Sequence, residues 1–269
     1  MARIMVVGNA NVDRIWWLDR PVAPGSRLSC QAIEERYGGG GYNTGIVLLD
    51  LGHEVTLVTS LYDDDKGRTY LNDLRQRGFN TDFVNLVPGT TPSVEILVDP
   101  HGERTIIAPA GRRRPGIEVL PEVDASLVYL NTRGMSEAAL KRLDDFDQVV
   151  SQYPLFAERR PANVLIASRS DVKGAARTAW QAAAEVAGPR LETLVLTSGT
   201  QPIEIVSRRD QMIVDVPTTA PVRDTTGAGD YFAGGYIDAM VRGFDADAAA
   251  LAGCKAAAQR LAAAEHAGP

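Results

Sequence analysis

Apolar residues in this chain gather in short continuous runs, and amphipathic stretches separate them. Residues 4–7 are rich in β-branched side chains and end at Gly8, the pattern of a strand buried on both faces of a parallel sheet. Residues 43–51 read as a helix stopped by Gly52, and 55–59 as a second strand. Residues 68–77 carry helical periodicity and close on Gly78, a C-terminal glycine signal. Strand-like runs return at 127–130, 148–151, 164–167 and 194–197, with a helical segment over 174–187. Alanine- and leucine-rich residues 246–265 predict a closing helix. Strand alternating with helix predicts an α/β fold with a mostly parallel sheet.

Two stretches break the alternation. Residues 93–99 and 104–108 flank Pro100-His101-Gly102-Glu103, which predicts a hairpin. With residues 13–37 they are expected to form a small β flap on the main sheet. No internal repeat or low-complexity linker interrupts the chain, so one domain over 1–269 is expected, with a β lid built from about 13–37 and 91–109.

Composition narrows the function classes. The net charge is −6, whereas a nucleic-acid protein normally shows a basic stripe. Arg112-Arg113-Arg114 is the one dense basic run, read as a solvated loop before Pro115. Cys30 and Cys254 lack metal-ligand spacing and suggest reduced thiols. His53, His101 and His266 are scattered, so no zinc cluster can be read. The N-terminus lacks the features of a signal peptide, and no apolar run is long enough to span a membrane. The expectation is a soluble cytoplasmic protein with neither nucleic-acid nor membrane partners.

The densest chemistry lies at Asp224-Thr225-Thr226-Gly227-Ala228-Gly229-Asp230, immediately before an apolar helical pattern marked by Phe232, Tyr236 and Met240. Small residues at a helix N-terminus leave backbone N–H groups facing outward, where they hold anions. Asp230 then sits in the first turn. An anion cradle beside a base is what phosphoryl transfer to a hydroxyl requires. The commoner phosphate motifs are missing: there is no Gly-x-x-x-x-Gly-Lys-Ser/Thr, and Phe232 occupies the place of the third glycine of a dinucleotide fingerprint.

The segment 224–235 resembles the C-terminal signature of the ribokinase-like (PfkB) carbohydrate kinases. Tyr37-Gly38-Gly39-Gly40-Gly41-Tyr42-Asn43-Thr44-Gly45 is similar to their first signature, and Gly8-Asn9-Ala10-Asn11-Val12-Asp13 follows the first strand where α/β sheets bind ligands. Pro24-Gly25, Asp64-x-x-Gly67, Gly102-Glu103-Arg104-Thr105 and Thr197-x-Gly199 extend the resemblance in order along most of the chain.

The resemblance implies a three-layer α/β sandwich with a mostly parallel central sheet and a β lid. It also implies transfer of a phosphoryl group from ATP, with Mg²⁺, to a hydroxyl of a sugar or related small molecule. Asp230 matches the general base, and Gly227, Ala228 and Gly229 match the anion hole. Asn11, Asp13, Gly38, Gly39, Gly40 and Asn43 match the sugar site. Thr197 and Gly199, with Gly227 and Gly229, match the nucleotide site. Asp224 and Thr226 match positions that in many members help bind an activating monovalent cation, K⁺ among the candidates. Many members pair through their lids, which makes a homodimer an option.

Departures fall mainly on the nucleotide side. Ser168-Arg169-Ser170-Asp171 replaces the usual Asn-x-x-Glu, leaving Asp171 to reach Mg²⁺ through water, and Pro202 replaces the second glycine of the nucleotide turn. Gly40 stands where ribokinases proper carry Lys, and Tyr42 is bulkier than the usual Ala. Trp16, Trp17 and Tyr42 are read either as stacking groups for a base or sugar face or as core and dimer contacts. Asn131 and Arg133 are candidates for acceptor selectivity. The competing functions are a nucleoside kinase of the same family, a non-catalytic ligand-binding protein that kept the fold, and a dinucleotide-dependent oxidoreductase.

Overall fold

The computed structural model describes residues 1–108, 116–154, 158–217 and 224–267, with the last helix's side chains described to 263. The Arg112–Arg114 run, residue 109 of the lid stretch and the side chain of His266 lie outside the described residues.

In chain order the elements are β1 (Arg3–Gly8), β2 (Asn11–Leu18), β3 (Cys30–Gly38), α1 (Gly40–Asp50), β4 (Glu54–Tyr62), α2 (Asp65–Gln76), β5 (Val84–Val87), β6 (Ser93–Val98), β7 (Arg104–Ile107) and β8 (Leu127–Asn131). There follow α3 (Glu137–Arg142), β9 (Val149–Gln152), β10 (Val164–Ser168), α4 (Ala176–Ala187), β11 (Thr193–Ser198), β12 (Gln201–Val206), β13 (Gln211–Val214), α5 (Ala228–Val241) and α6 (Ala246–Ala267).

Nine strands form one sheet in the order β13-β12-β11-β10-β9-β8-β1-β4-β5, parallel from β11 to β5 and antiparallel at the β12–β13 edge. Successive side chains of a strand point to opposite faces, so β1 divides its apolar run between two cores. Ile4 and Val6 pack with residues of α1, α2, α5 and α6, while Met5 and Val7 pack with residues of α3 and α4. Helices therefore cover both faces, the three-layer arrangement that continuous apolar strands demand. Among the described residues, no helix is long and apolar enough to cross a membrane.

A second, four-stranded sheet has the order β3-β2-β6-β7. In it Asp13 lies opposite Arg36 on β3 and Val94 on β6. Trp17 joins Ile15, Ile96 and Val98 in this sheet's own apolar cluster, and the Trp16 indole donates to Glu95 at 2.5 Å. Tyr42 packs near Tyr70 and Phe79, ring centroids 5.6 and 6.2 Å away. Trp17 is thus a core residue of this sheet, while Trp16 is half-buried on its opposite face.

Three differences from the sequence expectation have local causes. Helix α1 starts at Gly40, earlier than 43, because Gly39 at φ 96° turns the chain straight out of β3. Helix α2 starts at Asp65, since the Asp64 side chain accepts the Gly67 N–H at 2.8 Å and caps it. The β12–β13 hairpin, β5 and the short α3 carry too few periodic positions to be read beforehand.

Helix α5 is buried through Phe232, Ala233, Gly234, Gly235, Tyr236 and Ile237. It meets α6 so closely that a Cβ on Gly235 falls 2.6 Å from the Ala256 Cβ and 2.6 Å from the Ala252 carbonyl oxygen. Glycine costs a helix about 1 kcal/mol relative to alanine, so its use here reflects this approach. Accordingly Gly235→Ala is expected to destabilise the protein by about 1–3 kcal/mol despite the better helix former, measured by urea denaturation.

Candidate functional site

The carboxyl ends of β1 and β8, the first turns of α1 and α5, and the inner face of the second sheet converge at one place. Helix α5 opens on Gly227, whose φ of 82° lies in the left-handed region that glycine adopts without strain. Upstream, Asp224 Oδ1 accepts the Thr226 N–H at 2.8 Å and closes the turn. The Ala228 N–H is given to the Thr225 carbonyl at 3.1 Å. The Gly227, Gly229 and Asp230 N–H groups make no hydrogen bond among the described residues. A Cβ on Gly229 would meet nothing within 4 Å, so the space beside it is open. The cradle expected from Gly227, Ala228 and Gly229 thus presents the amides of Gly227, Gly229 and Asp230 at the positive end of the helix dipole.

Asp230 is held from two sides. Asn43 Nδ2 donates to its Oδ2 at 3.0 Å, and Asn131 Nδ2 donates to its Oδ1 at 3.0 Å. The Thr44 hydroxyl donates to its backbone carbonyl at 3.0 Å. Burial pushes the Asp230 carboxyl above the ordinary carboxylate range, and the two amide donors and the Arg104 charge pull part of the way back. The result is a carboxylate with raised basicity, aligned by amides on both oxygens. Asn43, expected in the sugar site, lines the cavity and also holds Asp230 through its amide.

Asn131 lacks a motif, yet it spans the site. Its Nδ2 also lies 3.3 Å from the hydroxyl of buried Tyr129. A Cβ on Gly40 would fall 1.9 Å from that Nδ2. The glycine at 40 and the amide at 131 therefore belong together, since any side chain at 40 displaces the donor that fixes Asp230.

Asn11 begins β2 opposite Gly38, and Asp13 is buried on the same strand. A Cβ on Gly38 would meet Asp13 Oδ2 at 2.0 Å, and one on Gly39 would meet the Asn9 carbonyl oxygen at 2.5 Å. That carbonyl accepts the Gly41 N–H at 2.9 Å, tying the start of α1 to the β1–β2 connection. Asp13, Arg36, Gly38, Tyr42, Asn43 and Tyr231 line part of a cavity of about 870 Å³.

Two further arginines were not singled out from sequence as site residues. Arg36 on β3 donates to Asp224 Oδ2, and Arg104 on β7 donates to the Thr225 carbonyl at 2.9 Å. The signal for Arg36 was its place in β3 opposite Asp13, readable only once the strand register is known.

The remaining candidates stand apart. Thr197 and Gly199 lie at the carboxyl end of β11, three strands from β8, on the order of 15 Å across the sheet. The Thr197 hydroxyl donates to the Ala167 carbonyl at 3.3 Å. Asp171 is exposed, and its Oδ2 accepts the Ser168 N–H at 3.3 Å. No group of three or more His, Cys, Asp or Glu side chains able to hold a metal occurs among the described residues.

The profile of the pfkB family carbohydrate kinases matches residues 1–145 and 156–266. The chain is 24% identical over 278 residues to the ribokinase of Haemophilus influenzae, covering 95% of this chain and 90% of that protein. Its fold superimposes on the Arabidopsis thaliana ribokinase complexed with ribose and ATP with a TM-score of 0.76 at 20% identity, over 97% of this chain and 93% of that one. The Burkholderia thailandensis nucleoside kinase in complex with inosine gives 0.75 at 17% identity, over 96% and 89%.

Removing one amide from the Asp230 pair leaves the charged form less stabilised. In Asn131→Ala the Asp230 carboxyl is expected to titrate at higher pH than in the parent protein, followed by carboxyl carbon NMR, and an unchanged titration would count against the role of this amide.

Proposed function

The chain belongs to the pfkB family of carbohydrate kinases, and from that membership we propose that it transfers the terminal phosphoryl group of ATP to a hydroxyl of a sugar-like small molecule, with Asp230 as the base. One observation carries this reading: a carboxylate of raised basicity, gripped at both oxygens, stands in the same helical turn as open backbone N–H groups.

Asn11 and Asp13, with the backbone of Gly38, Gly39 and Gly40, bind the acceptor's hydroxyls. The buried Asp13 carboxylate and the half-buried Asn11 amide suit that task, because a hydroxyl both donates and accepts. Asp230 takes the proton of the attacking hydroxyl, a contribution typically worth about 10²–10⁴ in rate. A base whose pKa is raised toward the working pH is the more effective acceptor of that proton. The amides of Gly227, Gly229 and Asp230 stabilise charge on the transferring group, where preorganised donors do most of the work. Ala228 serves by its small side chain, since its amide is already engaged.

The nucleotide is assigned to the ends of β10 and β11, with Thr197 and Gly199 in its turn. ATP as donor is supported by the Arabidopsis ribokinase, which was solved with it. Mg²⁺ fits as an ion carried by the nucleotide's phosphates, since such ions keep several waters and need one or two carboxylates. Asp171 is the carboxylate on that edge, and the ion would neutralise phosphate charge there. The second sheet acts as the lid, excluding water from the acceptor. Ile33 and Ile107, 53% and 52% exposed, lie on the face of that sheet turned away from Asp13 and Arg36 and support pairing of two copies there. A cytoplasmic place follows from ATP as donor.

Nucleosides stand beside sugars and sugar acids as candidate acceptors, since the Burkholderia thailandensis nucleoside kinase in complex with inosine shares this fold.

Purified protein with ATP and Mg²⁺ is expected to release ADP with at least one member of a panel of sugars, sugar acids and nucleosides. Asp230→Asn should lower that turnover by at least about 10²-fold, read as ADP formation. Turnover that survives Asp230→Asn would remove the base from the proposal.

A further inference from the structure

Asp224 and Thr226 are the positions at which the family resemblance implies a bound monovalent cation. The residues present do not fit one. A hard cation draws several oxygen ligands to itself. Here Asp224 Oδ2 is taken by the Arg36 guanidinium, and Oδ1 by the Thr226 N–H at 2.8 Å. The neighbouring Thr225 carbonyl receives both the Arg104 guanidinium at 2.9 Å and the Ala228 N–H at 3.1 Å. Both carboxylate oxygens of Asp224 and the Thr225 carbonyl are thus spent on donors, two of which carry permanent positive charge. Of the turn's buried side-chain oxygens only the Thr226 hydroxyl is left without a hydrogen-bond partner, which is too few oxygens to hold an ion.

We propose that Arg36, carried on β3 of the second sheet, is the built-in countercation of the 224–226 turn, so that this chain works without the monovalent cation its relatives take there. Asp224 is buried, and a buried carboxylate needs a compensating charge. Burial pushes its carboxyl up, but its contacts with Thr226 and the Arg36 charge outweigh that and hold it below the ordinary range. The guanidinium supplies what the ion would: a positive charge against Asp224, fixing the turn that aims the first amides of α5. It differs in origin. A dissolved ion is always available, whereas Arg36 reaches Asp224 only while β3 lies over the site. Arg104, on the opposite edge of the same sheet, adds its bond to Thr225 from the other side.

The inference rests on the kinase reading, and two readouts keep their failures apart. ADP formation with the best panel acceptor is compared in KCl and in tetramethylammonium chloride, both at about 0.1 M so that screening is matched. The parent protein is expected to change by less than about twofold, and Arg36→Lys likewise, because it keeps the charge. Arg36→Gln is expected to lose activity and to regain part of it as KCl rises.

Independently of turnover, the melting temperature is followed against KCl at constant ionic strength. The parent should show no saturable rise, and Arg36→Gln should gain one, as a site that binds only the folded state does. Activation of the parent by K⁺ of about fivefold or more, or a saturable K⁺ shift of its melting temperature, would overturn the proposal. So would an Arg36→Gln protein as indifferent to K⁺ as the parent in both readouts. If no acceptor turns over, the kinase reading fails, and the melting series still decides the role of Arg36.

Discussion

Everything at this site turns on one carboxylate, Asp230, whose charged form burial works against. Desolvation raises the cost of the ionised form, and only hydrogen bonds or opposite charge offset it. At Asp230 the larger part of the offset comes from two amides on separate elements, Asn43 on α1 and Asn131 at the end of β8, and the Arg104 charge adds to it. That choice has consequences for the scaffold. Helix α5 must be fixed against both α1 and the sheet, which is why it is buried and packs through small residues. Gly40 must stay bare so that Asn131 can reach across.

A neutral amide is a measured choice of partner. A full positive charge against the carboxylate would depress its pKa and blunt its basicity. Two amide donors align both oxygens while leaving the basicity that burial confers. The charged partners stand one step away: Arg36 is on Asp224, and Arg104 is on the Thr225 carbonyl. The turn is thereby held by charge and Asp230 by dipoles, within seven residues of the chain.

The layered fold was readable because its strands are continuous apolar runs and its helices carry clear stops at Gly52 and Gly78. The β12–β13 hairpin was not, since an antiparallel edge with exposed Met212 and Ile213 lacks both the continuous run and clean alternation. At the site, Asp230, Asn43 and the glycines were legible because they sit in two compact signatures, and Asp13 because it closes the short segment after the first strand. Asn131 and Arg36 act from outside those signatures. Asn131 matters through the register of β8 beside β1, and Arg36 through its pairing opposite Asp13. Such relations are properties of strand pairing, and local sequence does not encode them. Asp171, by contrast, was placed by position alone, and its Oδ2 accepts the Ser168 N–H of its own loop.

The junction between β3 and α1 is a single residue, Gly39, with Gly38 ending the strand and Gly40 opening the helix. It has no slack. The strand runs without a spacer into the first turn of α1, where Asn43 and Thr44 hold Asp230. The Asn9 carbonyl accepts the Gly41 N–H and pins that junction to the end of β1. The sheet that carries Arg36 and the helix that aligns Asp230 are thus one continuous piece of backbone.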